Sequence, residues 1–248
     1  MSRDIGLGGD QVEGRHAVAE LLAHGKRPVS ELLAVPGSSS DELVALARDR
    51  GIRVRSLDAA SLARLARTEV PQGVIARAAP VAPTPLEELV RPGPGGAPPF
   101  LVVLDQVTDP HNLGAILRSA VAAGATGIVL GRHRAAHLSP AACKAAAGAV
   151  EHARFALVGG IPAALRELAR SKVWTVGLEA GAAVDLEAVT VLDAPVALIL
   201  GAEGAGLSPL VRSRCEVLCR IPLVGPLESL NVAAAAAIAC FTVARKRS

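Results

Sequence analysis

The chain has 248 residues, 51% hydrophobic and 20% charged, which argues against a disordered, highly charged polymer and allows one large core, or an ordinary domain plus a small one. Aromatic residues are 2% and tyrosine is absent, which argues against RNA readers that stack bases on aromatic side chains. The formal net charge of +3 permits a nucleic-acid partner without requiring one. Arginine dominates the basic residues; it suits bidentate phosphate contacts, but a GC-rich genome produces the same bias.

In chain order, Gly14-Arg15-His16-Ala17-Val18 leads into a helical pattern through Leu21 and Leu22. Leu32 to Val35 reads as a short buried strand, and Glu42 to Arg50 as a helix carrying Leu43, Leu46 and Ala47. Val54 and Leu57 suggest a strand, Leu62 and Leu65 a helix, and Gly73 to Ala76 a last strand. Residues 1–78 therefore form a small α/β unit. Residues 79–99 are dense in proline and glycine, which can continue neither a helix nor a central strand, so an interdomain tether is expected.

From Phe100 the pattern alternates. Strands are predicted at Phe100 to Leu104, Gly127 to Leu130, Val173 to Leu178, Pro195 to Leu200 and Val217 to Ile221. Asp109-Pro110, Ser139-Pro140 and Ser208-Pro209 each pair an N-cap with proline at the first helical position. Ile161 to Arg170 and the alanine-rich Leu230 to Arg245 are the other predicted helices. Short apolar strands alternating with helices imply a parallel sheet covered on both faces, over residues 100–248. Cys143, Cys215, Cys219 and Cys240 lack the spacing and histidine company of a zinc site, so buried free thiols are expected. The opening stretch has no apolar signal core, and the longest uncharged apolar run, Val232 to Ala244, is too short to span a bilayer. A cytoplasmic protein without membrane contact is expected.

Three stretches could carry chemistry. DQVTDPHNLGAILRSA, 105–120, delivers Asn112 and Arg118 beyond a strand, where open α/β sheets bind ligands. The Gly201 to Gly206 loop follows another strand; it is neither a Walker loop nor a dinucleotide fingerprint, and Glu203 within it suits a cationic or donor-rich ligand rather than phosphate. IPLVGPLESLNV, 221–232, places Ser229 and Asn231 at the opening of the last helix. Taken singly, each has a plainer reading as a helix cap or tight loop.

Together, LDQVTDPHNLGAILRSA, LILGAEGAGLSP and IPLVGPLESLNVAAAAAIACF resemble, in wording, order and spacing, the three motifs of the SpoU (TrmH-like) family of RNA ribose 2′-O-methyltransferases. VEGRHAVAELL and VPQGVIA resemble, more softly, the substrate-binding domain of its RlmB-like branch, which methylates guanosine of 23S ribosomal RNA. The resemblance implies a SPOUT-type catalytic domain with a C-terminal trefoil knot, preceded by an L30e-like RNA-binding domain. It also implies a homodimer through the catalytic domain, S-adenosylmethionine as methyl donor, and no metal.

By position, the resemblance assigns catalytic roles to Asn112, Arg118, Glu203, Ser229 and Asn231, and donor binding to Leu178, Gly201, Gly204, Ile221, Pro222, Leu230 and Asn231. Arg118 is the implied assisting residue. An arginine guanidinium stays protonated in proteins, so binding the adjacent phosphate and stabilising charge on the 2′-oxygen suits it better than acting as a base. Glu203 could fix Arg118 or a neighbouring loop, and His111 ranks below Arg118 as a proton acceptor because the resemblance does not single it out. Arg15 and the run Arg48, Arg50, Arg53 and Arg55 are candidate RNA contacts, against a plain solvated face. Competing readings are a tRNA or antibiotic-resistance ribose methyltransferase, and a non-catalytic RNA-binding or assembly factor.

Overall fold

The computed structural model describes residues 6–24, 26–37 and 40–248. The chain divides into two compact units: one takes the chain up to Ala82 together with His137–His152, the other takes Pro83–Ala136 and Ala153–Ser248.

The first unit contains β1 (Gln11–Glu13), α1 (Arg15–His24), β2 (Val29–Ala34), α2 (Asp41–Asp49), β3 (Arg53–Ser56), α3 (Ala59–Leu65) and β4 (Val74–Ala78). Its sheet runs β1-β4-β2-β3, with β2 and β3 parallel and the other pairs antiparallel. Side chains alternate across a strand, so Leu32, Val74 and Ala76 pack with Leu21 and Leu22 of α1 and Ala47 of α2. Leu33 and Ile75 meet Leu62 of α3 on the opposite face. β1 was not evident in the sequence; its Glu13 is fully buried and accepts hydrogen bonds from the Arg67 and Thr68 amides at 2.7 and 3.1 Å.

The second unit begins within the predicted tether. There α4 (Leu86–Leu89) buries Leu86 and Leu89 in the core, and a Cβ on Gly127 would stand 2.9 Å from Leu89 Cδ1. Near the carboxyl end of the chain, Arg247 donates to the Pro98 and Pro99 carbonyls at 2.8 and 3.2 Å. Apolar leucines between the prolines thus anchor the segment that composition marked as an interdomain tether.

Then follow β5 (Phe100–Leu104), α5 (Pro110–Ala122), β6 (Gly127–Gly131), α6 (Pro140–Ala145), β7 (Phe155–Val158), α7 (Ile161–Arg170), β8 (Trp174–Leu178), β9 (Val184–Asp185), β10 (Val196–Leu200), α8 (Pro209–Arg212), β11 (Val217–Arg220) and α9 (Val232–Lys246). The sheet order is β7-β6-β5-β10-β8-β11-β9, with every pairing parallel. β5 and β10 are buried at every position, as central strands covered on both faces must be. β7, β9 and α4 are additions to the predicted elements. The alanines of α9 let it pack closely along α5 of the same chain.

The segment with α6, between β6 and β7, belongs to the first unit, so its boundary is not the single break near residue 78 that composition suggested. Arg27 shows how the segment is held. Its guanidinium bonds both Glu151 carboxylate oxygens, at 3.0 and 2.6 Å, and the Gly9 and Ala79 carbonyls at 2.5 and 2.6 Å. No helix among the described residues is long and apolar enough to cross a membrane.

Candidate active site

Strand β5 hands the chain to α5 through Asp109, whose carboxylate caps the helix by accepting from the His111 and Asn112 amides at 2.7 and 2.9 Å. With Pro110 at the first helical position, the cap sets where Asn112 stands. At the end of β10 the chain makes a tight loop closed by a reciprocal pair of backbone bonds between Ala202 and Gly206, 3.0 and 2.9 Å. A Cβ on Gly201 would lie 2.1 Å from the Gly206 carbonyl carbon, so only glycine allows this closure, and Glu203 is carried on the loop. Asn231 caps α9: its Oδ1 accepts from the Ala233 and Ala234 amides at 2.8 and 3.4 Å. That use of the oxygen turns its amide nitrogen the other way.

These three side chains meet. Asn112 Nδ2 donates to one oxygen of Glu203 at 2.9 Å, and Asn231 Nδ2 donates to the other at 3.0 Å. Asn231 Nδ2 also lies 3.0 Å from Asn112 Oδ1. The carboxylate thus bridges two amides from helices 119 residues apart in sequence. Glu203 bonds Asn112 and Asn231 rather than Arg118, so of the two roles expected for it the loop-fixing one matches this geometry. Arg118 lies two turns along α5, exposed, with no hydrogen bond or ion pair among the described residues.

Beside this bridge is a cavity of about 610 Å³ at the carboxyl ends of β8, β10 and β11. Its lining includes Leu178, Gly201, Gly204, Ile221, Pro222 and Leu230 of the expected donor-binding set, together with Glu203 and Ser229. Asn231 is not itself in the wall but sits between Leu230 and Val232, which are. Asn112 and Arg118 are outside it. Sequence reasoning missed Glu179, Leu200, Arg220 and Glu228 in the lining. Glu179 and Arg220 stand at the ends of β8 and β11, and the preference of ligands for strand carboxyl ends could have found both. Also missed was Asp105, 4% exposed, which accepts from the Ser208 amide at 2.8 Å and ties the loop after β10 to the end of β5.

The cavity suits S-adenosylmethionine by volume and chemistry. It lies within the range of about 300–1,000 Å³ usual for small-molecule sites. Leu178, Leu200, Ile221 and Val232 offer apolar surface for an adenine ring, glycines let backbone approach closely, and Glu179, Glu203 and Glu228 supply negative charge toward a cationic ligand. The Arg48, Arg50, Arg53 and Arg55 side chains are exposed on the first unit; Arg53 and Arg55 share Glu31 at 3.8 and 4.0 Å. Arg15 is also exposed.

A family model described as the SpoU rRNA Methylase family matches residues 99–241, and one described as RNA 2′-O ribose methyltransferase substrate binding matches residues 11–84. The 23S rRNA (guanosine-2′-O-)-methyltransferase RlmB of Haemophilus influenzae is 37% identical over 245 residues, covering 96% of this chain and 98% of that one. RlmB of Xylella fastidiosa is 38% identical over 243 residues, covering 96% of each. Among solved structures, the SpoU methyltransferase AviRb from Streptomyces viridochromogenes in complex with AdoMet superposes with a TM-score of 0.79 at 25% identity, over 96% of this chain and 90% of that one. The AdoMet-bound rRNA methyltransferase from Sinorhizobium meliloti gives 0.76 at 29% identity, over 95% and 87%.

Proposed function

The chain belongs to the SpoU rRNA methylase family, and on that premise we propose that it transfers a methyl group from S-adenosylmethionine to the ribose 2′-hydroxyl of a guanosine in 23S rRNA. The observation that carries this reading is the Asn112–Glu203–Asn231 bridge beside a cavity built for a cationic nucleoside. The RlmB relatives, similar over nearly the whole chain, support the guanosine of 23S rRNA. The AdoMet-bound neighbours support the donor.

The donor supplies a methyl already activated on a sulfonium, so the protein's task is alignment and charge management. Leu178, Gly201, Gly204, Ile221, Pro222 and Leu230 hold the donor by backbone and apolar contact. Asn112 and Asn231 fix Glu203 in the cavity wall and orient the ribose, while Ser229 shapes the pocket. Arg118, a guanidinium with no partner among the described residues, binds the phosphate next to the target ribose and stabilises negative charge growing on the 2′-oxygen.

The finer architecture belongs to the same proposal. The second unit is read as ending in the C-terminal trefoil knot of its family; β10 lies in the sheet between β5 and β8, both earlier in the chain, an order compatible with that reading. The first unit is read as the L30e-like RNA-binding domain, with Arg15, Arg48, Arg50 and Arg53 contacting RNA, in line with the substrate-binding match over residues 11–84. The exposed Ile238 and Phe241 of α9 and Leu227 of the cavity loop give the catalytic domain apolar surface for a homodimer. The site of action is the cytoplasm, where rRNA is made.

The test is methyl transfer from labelled S-adenosylmethionine to deproteinised RNA of a strain lacking the enzyme, followed by nucleoside analysis. Label in 2′-O-methylguanosine of large-subunit rRNA is the expected result; donor binding without transfer to any RNA overturns the proposal for free RNA. In the same assay Arg118→Ala is expected to lose turnover while still binding donor, and turnover equal to the parent's removes Arg118 from the chemistry.

A further inference from the structure

The first unit gathers a second set of side chains that methyl transfer does not use. Glu20 and His24 lie one turn apart on the same face of α1. The short 3₁₀ turn Ala149–Glu151 ends at His152, which comes to the same point. His152 Nε2 is 2.8 Å from Glu20 Oε2, and His24 Nε2 is 3.1 Å from that same oxygen. The two imidazoles stand edge to face with centroids 4.1 Å apart. All three potential ligand atoms lie within 4.8 Å of one another.

We propose that Glu20, His24 and His152 form a binding site for a divalent transition-metal ion of the zinc class. Bonds of about 2.1 Å in tetrahedral array place ligand atoms about 3.4 Å apart. The observed 2.8 and 3.1 Å need only a small opening of side chains to reach that spacing. Two imidazole nitrogens with one carboxylate select zinc, nickel, cobalt or copper over magnesium and calcium, which prefer all-oxygen shells. The carboxylate is held in place from behind. Gly148, at φ +95°, lies so close that a Cβ there would come within 2.2 Å of Glu20 Cγ. The three side chains are between 36% and 43% exposed, leaving room for an ion to enter and for water in the fourth position.

Bound there, the ion clamps the 137–152 segment to α1 and stabilises the first unit by mass action. It takes no part in methyl transfer. The cysteines offer little competition: burial pushes all four thiols up to about 12, so they stay protonated rather than acting as thiolate ligands.

The test uses the untagged full chain and zinc competed against a chromophoric chelator. The expected result is one zinc per chain, weakened at least about tenfold in each of Glu20→Gln, His24→Asn and His152→Asn, because even outer-shell partners of a metal cost that much. His133→Asn, a histidine outside the cluster, is the control and binds as the parent does. At one zinc concentration the thermal midpoint of the parent should rise and that of Glu20→Gln should rise less, which separates weakened binding from lost folding. No zinc taken from the chelator, or equal uptake by the parent and the three cluster variants, overturns the site. Neither result touches the methyltransferase reading, which is measured on RNA.

Discussion

At the scale of single residues, the site depends on which atoms donate and which accept. Glu203 is an acceptor for two amides, and Asn231 cannot reverse because its oxygen is occupied by the first turn of α9. Glu203→Gln keeps the shape but sets an amide N–H₂ against the others. Leaving such groups unmatched costs about 1–3 kcal/mol, so methyl transfer should fall by about tenfold or more while circular dichroism stays unchanged. A variant with parental kcat/KM would reduce the bridge to ornament. The thiols make a second prediction. Burial raises all four from 9.0 to about 12, so the folded state keeps protons that the unfolded state releases. The stabilisation tied to these protons is complete below pH 9 and disappears as pH climbs toward 12. Thiol labelling at pH 8 should therefore be slow in the native protein and prompt in denaturant; fast native labelling of Cys143 or Cys240 would show that they are not buried.

At the scale of elements, caps and loops decide where chemistry can stand. Asp109 and Asn231 were recognisable as caps because Asp-Pro before a helix and Asn before an alanine run have a local mechanism. The loop after β10 depends on Gly201, whose Cβ would collide with the Gly206 backbone. Gly201→Ala should open the loop, destabilise the second unit by about 1–3 kcal/mol in denaturant titration and abolish donor binding by calorimetry. Retained donor affinity would mean that the loop does not shape the pocket. α9 is equally particular: its small side chains permit close approach to α5 within the chain, while Ile238 and Phe241 stay exposed.

At the scale of the whole molecule, the first unit borrows residues 137–152, and Arg27 with Glu151 is the tie. Both side chains are less than a tenth exposed, and removing one member of such a pair strands a buried charge. Glu151→Ala should cost about 3–5 kcal/mol in the first unit's stability, read as a lowered thermal midpoint, with donor binding in the second unit retained. An unchanged midpoint would show that the segment is held by other contacts. The sequence by itself determined the class of fold, five of the seven strands from Phe100 onward, the caps and the three motif stretches, because periodicity, proline and glycine act over a few residues at a time. It also suggested residues for donor binding, and Leu178, Gly201, Ile221 and Leu230 line one cavity, which we propose takes the donor. Tertiary structure alone decided that Glu203 joins Asn112 to Asn231, that Asp105 holds the Ser208 amide, that α4 is packed rather than free, and that His152 meets Glu20. Those pairings join residues up to 132 apart in the chain, and no local propensity encodes a distance that only the closing of loops around a common core can set.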